Sequence, residues 1–279
     1  MKTLKVVIIL IMAAPSFSGC TEYPIYDITY PKYGKIISLT TNWMNRGSNI
    51  EIPASYTLKV GDYSTILSGT ANPVENLFSA GKHIINIWNT AGNIFVSDRI
   101  ATADYAAGNL EWFFTGRQEI VIEKNRDYSI IVAMQQQVRQ LTLELDVTGD
   151  AKNRLTDIDA ILTGVAGTLD IDDGTHGTPS NVALMFAEDP LEGKWKVTVR
   201  LLGITGPTRI LMLKLNFAGS NPSAYTLSSD LSSLLAAFNT DKTNPLTLSA
   251  RLIETPSGAG ITTIITDWIS EGTSSGTAN

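Results

Sequence analysis

From Gln137 to Val147 the chain alternates: Leu141, Leu143, Leu145 and Val147 take one side, and Thr142, Glu144 and Asp146 take the other. Successive side chains of an extended strand point to opposite faces, so this pattern predicts a strand with one buried side. Trp195, Val197, Val199 and Leu201 alternate with Lys196, Thr198 and Arg200, and Leu211, Leu213, Leu215 and Phe217 alternate with Lys214 and Asn216 in the same way. Shorter runs at 35–41, 55–60, 84–88, 119–123, 128–133, 155–162, 182–186, 246–253 and 261–268 extend the pattern over most of the chain. Turn signals such as Val60-Gly61-Asp62, Ala80-Gly81-Lys82 and Asp173-Gly174 separate them. A chain punctuated this way can bury its apolar faces only by stacking sheets, which predicts an all-β protein built of sandwiches.

One segment departs from period two. Leu231, Leu234, Leu235 and Phe238 fall at i, i+3, i+4 and i+7, and Ser228 or Ser229 can cap the start, so a short amphipathic helix is expected over 230–238. The polar run Met134-Gln135-Gln136-Gln137 interrupts two strand patterns without Gly or Pro, which places a stiff, nearly continuous junction there. The expected layout is a signal peptide over 1–19, a linker over 20–33, an N-terminal sandwich over 34–135, a C-terminal sandwich over 136–270 and a disordered tail over 271–279.

The signal assignment rests on Lys2 and Lys5 ahead of the apolar stretch Val6 to Ala14, followed by Pro15 and a run of small residues ending in Gly19. That stretch falls short of the roughly twenty apolar residues a spanning helix needs. Cys20, the chain's one cysteine, follows directly and has no partner for an internal disulfide. The site resembles a lipobox, with Phe17 where leucine is usual. The resemblance implies that Cys20 is lipidated and that acyl chains such as palmitate hold the protein on the outer membrane. The alternative is an ordinary signal peptide with an incidental cysteine. A formal charge of −6 with 17% charged residues argues against nucleic-acid binding, because no basic excess is available to neutralise phosphates.

Catalytic and metal-binding patterns are sparse. His83 and His176 are the two histidines, neither in a metal-ligand spacing, and no G-x-S-x-G elbow occurs. Asp170, Asp172, Asp173 and Gly174 suggest a calcium loop, but Gly174 takes the third ligand position, Thr175 the glycine position and Asn181 the terminal Glu position, so the EF-hand pattern fails. The acidic run is read as an exposed turn, with a different oxygen-ligand calcium site left open. Asp157 and Asp159 share one face of a strand, the arrangement of a solvated surface rather than of two acids across a cleft. Trp43, Trp88, Trp112, Trp195 and Trp268 are spread along the chain and are read mainly as core aromatics, a sugar-stacking platform being the alternative. The expectation is a protein without catalytic residues, cofactor or metal.

Several features together are similar to the fimbrial anchor lipoproteins of the Bacteroides group, the FimB-like family of type V pili within the fimbrillin-like superfamily. They are the lipobox cysteine, the strand region Gly34 to Trp43, the segment Asn76-Leu77-Phe78-Ser79-Ala80-Gly81-Lys82 leading to Asn86-Ile87-Trp88, the junction from Met134 to Leu143, the Thr163-Gly164-Val165-Ala166-Gly167 segment and the closing Thr266-Asp267-Trp268. The resemblance covers nearly all of the chain after Cys20. It implies two tandem transthyretin-like β-sandwiches, and the helix expected over 230–238 falls in the second. It further implies a surface-exposed, fimbrium-associated protein that anchors or accompanies a pilus. The neighbouring fimbrial subunit would bind by strand exchange, with 34–43 and 261–268 as candidate strands. Arg46, ahead of Gly47, is a candidate proteolytic site by the same resemblance, the alternative being an arginine in a Gly-containing turn. A surface glycan-binding lipoprotein using exposed tryptophans is the competing functional expectation.

Overall fold

The computed structural model describes residues 32–149, 151–219, 223–257 and 260–270, with only the backbone described for 254–257 and 260–264. Cys20 and the segments 1–19 and 271–279 lie outside these residues. The chain is all-β. The first half forms β1 (Tyr33–Asn45), β2 (Ser55–Val60), β3 (Tyr63–Ser68), β4 (Ala71–Asn72), β5 (Leu77–Ser79), β6 (Gly81–Trp88), β7 (Ile94–Ser97), β8 (Ile100–Ala103), β9 (Phe114–Ile122) and β10 (Asp127–Gln136). The second forms β11 (Arg139–Thr148), α1 (Ala151–Arg154), β12 (Leu155–Asp170), β13 (His176–Asp189), β14 (Lys194–Leu201), β15 (Ile210–Phe217), β16 (Ala224–Asp230), β17 (Leu246–Ser257), β18 (Gly260–Ile265) and β19 (Ile269–Ser270).

In the first half the strands run in the order β3-β2-β6-β9-β10-β1-β4, with β5 also on β1. The sheet folds over where β9 meets β10 through three residue pairs, Met134 to Gly116, Gln135 to Thr115 and Gln136 to Phe114. Gly116 permits the approach: a Cβ there would sit 2.6 Å from Met134 Sδ and 2.8 Å from Val132 Cγ1. The two leaves enclose a core that includes Ile36, Leu39, Tyr56, Leu58, Ile85, Ile87, Phe114, Val132 and Met134.

In the second half the order is β16-β15-β12-β13-β14-β11-β17-β18. Strand β13 serves both leaves, pairing β12 through residues 176–186 and β14 through 187–189. The enclosed core is lined by Leu141, Leu143 and Leu145 from β11, Leu211, Leu213 and Leu215 from β15, and Ile158, Leu184 and Leu248. Those leucine rows are the alternating residues of the sequence, buried on the side that the pattern predicts.

Two features depart from the sequence expectation. The helix expected over 230–238 does not form; among the described residues of this half the one short helix is α1, four residues long. Residues 232–240 form successive turns, with one four-residue bond from Leu235 N to Leu231 O and tighter bonds from Ala236 N to Ser233 O and Phe238 N to Leu235 O. Leu231, Leu235 and Phe238 still enter the core. Turns bury the same spacing, and one helical bond cannot outweigh the cost of nucleating a helix. Second, the hairpin β7–β8 belongs by sequence to the first half but pairs with β12 of the second, Thr102 opposite Thr168 and Ile100 opposite Asp170. Asp98 and Asn93 take positive φ at its turns (54° and 63°), a conformation Asp and Asn tolerate better than branched residues.

The hairpin builds a third apolar cluster between the halves: Ala91, Ile94, Ala101, Leu110 and Phe113 meet Val138, Leu169, Ile171 and Leu202. Only Gln137 and Val138 separate β10 from β11, and Val138 is fully buried. The junction is therefore a packed element rather than a hinge.

Candidate functional site

The feature with most bearing on function is the slot that β1 occupies. Its thirteen residues lie parallel to β10, from Lys35 opposite Asp127 to Asn45 opposite Gln135. Along its other edge, among the described strands, it pairs with β5 at residues 33–35 and β4 at residues 39–40. Apart from β1, the strands of this sheet pair with antiparallel neighbours, so β1 lies as a parallel insert beneath a short and broken outer wall. Ile36 and Leu39 are fully buried and Trp43 is 4% exposed. Trp43 packs edge-on against Phe114 at 5.4 Å and Tyr56 at 6.2 Å, and its Nε1 donates to Thr41 Oγ1 at 2.9 Å. Each such large apolar side chain contributes roughly 1.5–3 kcal/mol by leaving water. Gly34 lets the strand pass closely over the β9–β10 turn, where a Cβ would meet Glu123 O and Ile122 Cγ2 at 2.6 Å.

Arg46 follows β1 directly. Its Nε donates to Ile50 O at 3.0 Å and one Nη to Trp43 O at 2.9 Å, so it closes the turn that ends the strand. The neighbouring Gly47 N donates to Gln136 Oε1 at 2.9 Å. Gln136 Nε2 in turn donates to Val138 O at 2.8 Å and Lys242 O at 2.5 Å. Gln137 Nε2 donates to Thr115 Oγ1 at 2.7 Å, and its Oε1 accepts from Lys242 Nζ at 2.5 Å. The glutamine run thus ties the end of β1, the junction and the loop before β17 into one buried network, in which each buried polar atom has a partner.

Of the other candidate residues, His83 and Asp172 line one open cleft with Lys82 and Arg99, and the rest make separate local contacts. His83 Nε2 donates to Ser79 O at 2.7 Å near the start of β6, where the side chain is half-buried. His176 Nε2 donates to Leu202 O at 3.2 Å, with its ring against Gly203. Burial, reinforced by the Lys242 charge, lowers the His176 pKa to about 4. Asp170 pairs with Arg99 at 3.0 Å, Asp172 accepts from Asn86 Nδ2 and Asp173 caps Thr175 N. Among the described residues no cluster of three or more His, Cys, Asp or Glu side chains could hold a metal ion. Asp157 accepts from Asn216 Nδ2 at 3.1 Å, while Asp159 is exposed. Trp43, Trp195 and Trp268 are buried and Trp88 and Trp112 half-buried, so the five offer no exposed stacking platform. Strand β18, the other candidate for exchange, pairs only with β17 among the described strands. The β17–β18 hairpin runs beyond the end of β11, whose pairing with β17 stops at Ile253.

The fold is shared with solved structures named as candidate adhesins and as a fimbrial anchor protein. Three of the matching structures illustrate the likeness. A candidate adhesin from Bacteroides ovatus superposes with a TM-score of 0.59 at 13% identity, covering 82% of this chain and 92% of that one. The fimbrial anchor protein Mfa2 from Porphyromonas gingivalis gives 0.55 at 11% identity over 86% and 98%. A candidate polysaccharide-binding protein from Bacteroides thetaiotaomicron gives 0.54 at 11% over 84% and 98%. No family model and no curated protein matches the sequence.

Proposed function

We propose that this chain is a non-enzymatic outer-membrane lipoprotein, acylated on Cys20, that serves as a fimbrial anchor or accessory subunit. Its two sandwich domains meet at Gln136 and Gln137, and a neighbouring fimbrial subunit joins it by β-strand complementation. The observation that carries this reading is β1 itself: a complete, parallel strand seated in the first core under a wall of two short strands. A slot of this kind is filled either by the chain's own strand or by a partner's. Main-chain bonding supplies the affinity and alternate side chains the specificity, so no reaction chemistry is required.

With β1 retained the slot is full and the protein is a fixed subunit, whose β18 edge can accept a neighbour's strand. Cleavage after Arg46 would free the slot and convert it to a polymerising subunit. The fold shared with an anchor protein and with adhesin candidates supports a place at the cell surface. The half-buried, hydrogen-bonded Arg46 favours retention of β1, because a protease must first withdraw that side chain. The test is co-purification: filaments sheared from cells should carry the wild-type protein, and deletion of 260–270 should release it from them. Filaments that retain the deletion variant at wild-type level would contradict attachment through that edge.

A further inference from the structure

A second feature adjoins the end of the strand slot. Where the halves meet, the loop after β1 and the loop before β17 face each other across a cleft of about 530 Å³. The loops are in close contact at its floor, since a Cβ on Gly47 would lie 3.0 Å from Thr243 O. Arg46 and Lys242 line the cleft with Asn49, Gln140, Thr243 and the indole of Trp112, and no carboxylate is among its lining residues. The nearby Asp241 is spent on its own loop, accepting from Thr243 N, Thr243 Oγ1, Asn244 N and Asn244 Nδ2. Neither cation has a carboxylate partner among the described residues. Arg46 uses two of its five N–H groups and Lys242 one of its three. A half-buried cation without a counter-charge is held at a cost, and burial alone lowers the Lys242 pKa to about 8. The half-buried Trp112 lines the cleft, and the Arg200 guanidinium lies over its ring at 5.3 Å.

We infer that this cleft binds an acidic sugar, a hexuronate-type ring whose carboxylate lies between Arg46 and Lys242. Its hydroxyls meet the amides and hydroxyl of Asn49, Gln140 and Thr243. Three observations select this class. The volume suits one or two pyranose rings, polar groups make up about half of the lining where most small-molecule pockets are mainly apolar, and the two cations stand beside the edge of the half-buried Trp112 with no carboxylate between them.

The experiment is calorimetric titration of the whole mature chain with glucuronate, glucose and inorganic phosphate in parallel. Glucuronate should bind saturably, with glucose and phosphate each at least about tenfold weaker, a difference of about 1.4 kcal/mol. Arg46→Gln and Lys242→Met should each weaken glucuronate about tenfold or more, measured at a temperature where circular dichroism shows each variant folded. NMR of labelled lysine side chains in the unaltered protein gives a second readout, free of folding effects: glucuronate should raise the Lys242 pKa. No glucuronate binding, phosphate binding as tightly as glucuronate, or glucuronate binding that leaves Lys242 unperturbed would each overturn the inference. Filament attachment by strand pairing is read separately, so failure of one leaves the other standing.

Discussion

Tyr105 is the residue on which the contact between the halves most visibly depends. It leaves the hairpin β7–β8, donates its hydroxyl to Ala166 O at 2.9 Å and accepts from Leu202 N at 3.1 Å; burial pushes its phenol pKa well up. Tyr105→Phe leaves both backbone groups without their partner. It should cost roughly 1–3 kcal/mol in chemical denaturation, as an unpaired buried polar group does, with little change in slope. His176 makes a pH prediction of definite sign. Its folded pKa of about 4 lies below the ordinary value of 6.5, so above pH 6.5 both states hold it neutral. As pH falls from 6.5 toward 4 the unfolded chain takes the proton first and stability declines, levelling off below 4. His176→Gln should flatten that part of the stability profile; a slope unchanged from wild type would assign the effect to other groups. Neither role was legible in the sequence. A histidine or tyrosine reveals its partners only when distant segments converge, and Tyr105 reaches Ala166 and Leu202 across 61 and 97 positions.

At the scale of elements, the alternating strands were readable because a buried face imposes period two, and β2 occupies 55–60 as the pattern predicts. The segments that were missed have physical reasons. The hairpin β7–β8 has only four residues per strand, too short for a period to register. Strand β16 is an edge strand whose inward residues Tyr225, Leu227 and Ser229 are only half-buried, so its apolar alternation is weak. The turns at 232–240 satisfy a helical spacing without a helix. Arg46 stood out in the sequence as the first arginine after the first strand, but its bonds to Trp43 O and Ile50 O and its place beside Lys242 depend on tertiary contacts. The slot makes its own prediction. A chain beginning at Gly47 lacks Ile36, Leu39 and Trp43, so it should bind a hydrophobic dye and self-associate. A synthetic peptide of residues 33–45 added in trans should reverse both. A truncated chain that stays monomeric and dye-negative would contradict the view of β1 as a replaceable core strand.

Across the whole molecule, the cluster of Phe113, Val138, Leu169 and Leu202, the pairing of β8 with β12 and the Gln136–Gln137 network bind the halves together. Calorimetry should therefore record a single unfolding transition. Replacing 94–103 with a Gly-Ser link should split it in two, since the cluster loses Ile94 and Ala101 and β12 loses its outer partner. Such rigidity suits the role proposed above, in which the subunit would transmit load from membrane to filament. The most direct test of that role is the intact mass and N-terminal peptide of the mature protein recovered with filaments from its native outer membrane. An acylated Cys20 with residues 33–46 retained is the predicted result. A chain that begins at Gly47 without lipid would contradict the anchor and make this a polymerising subunit.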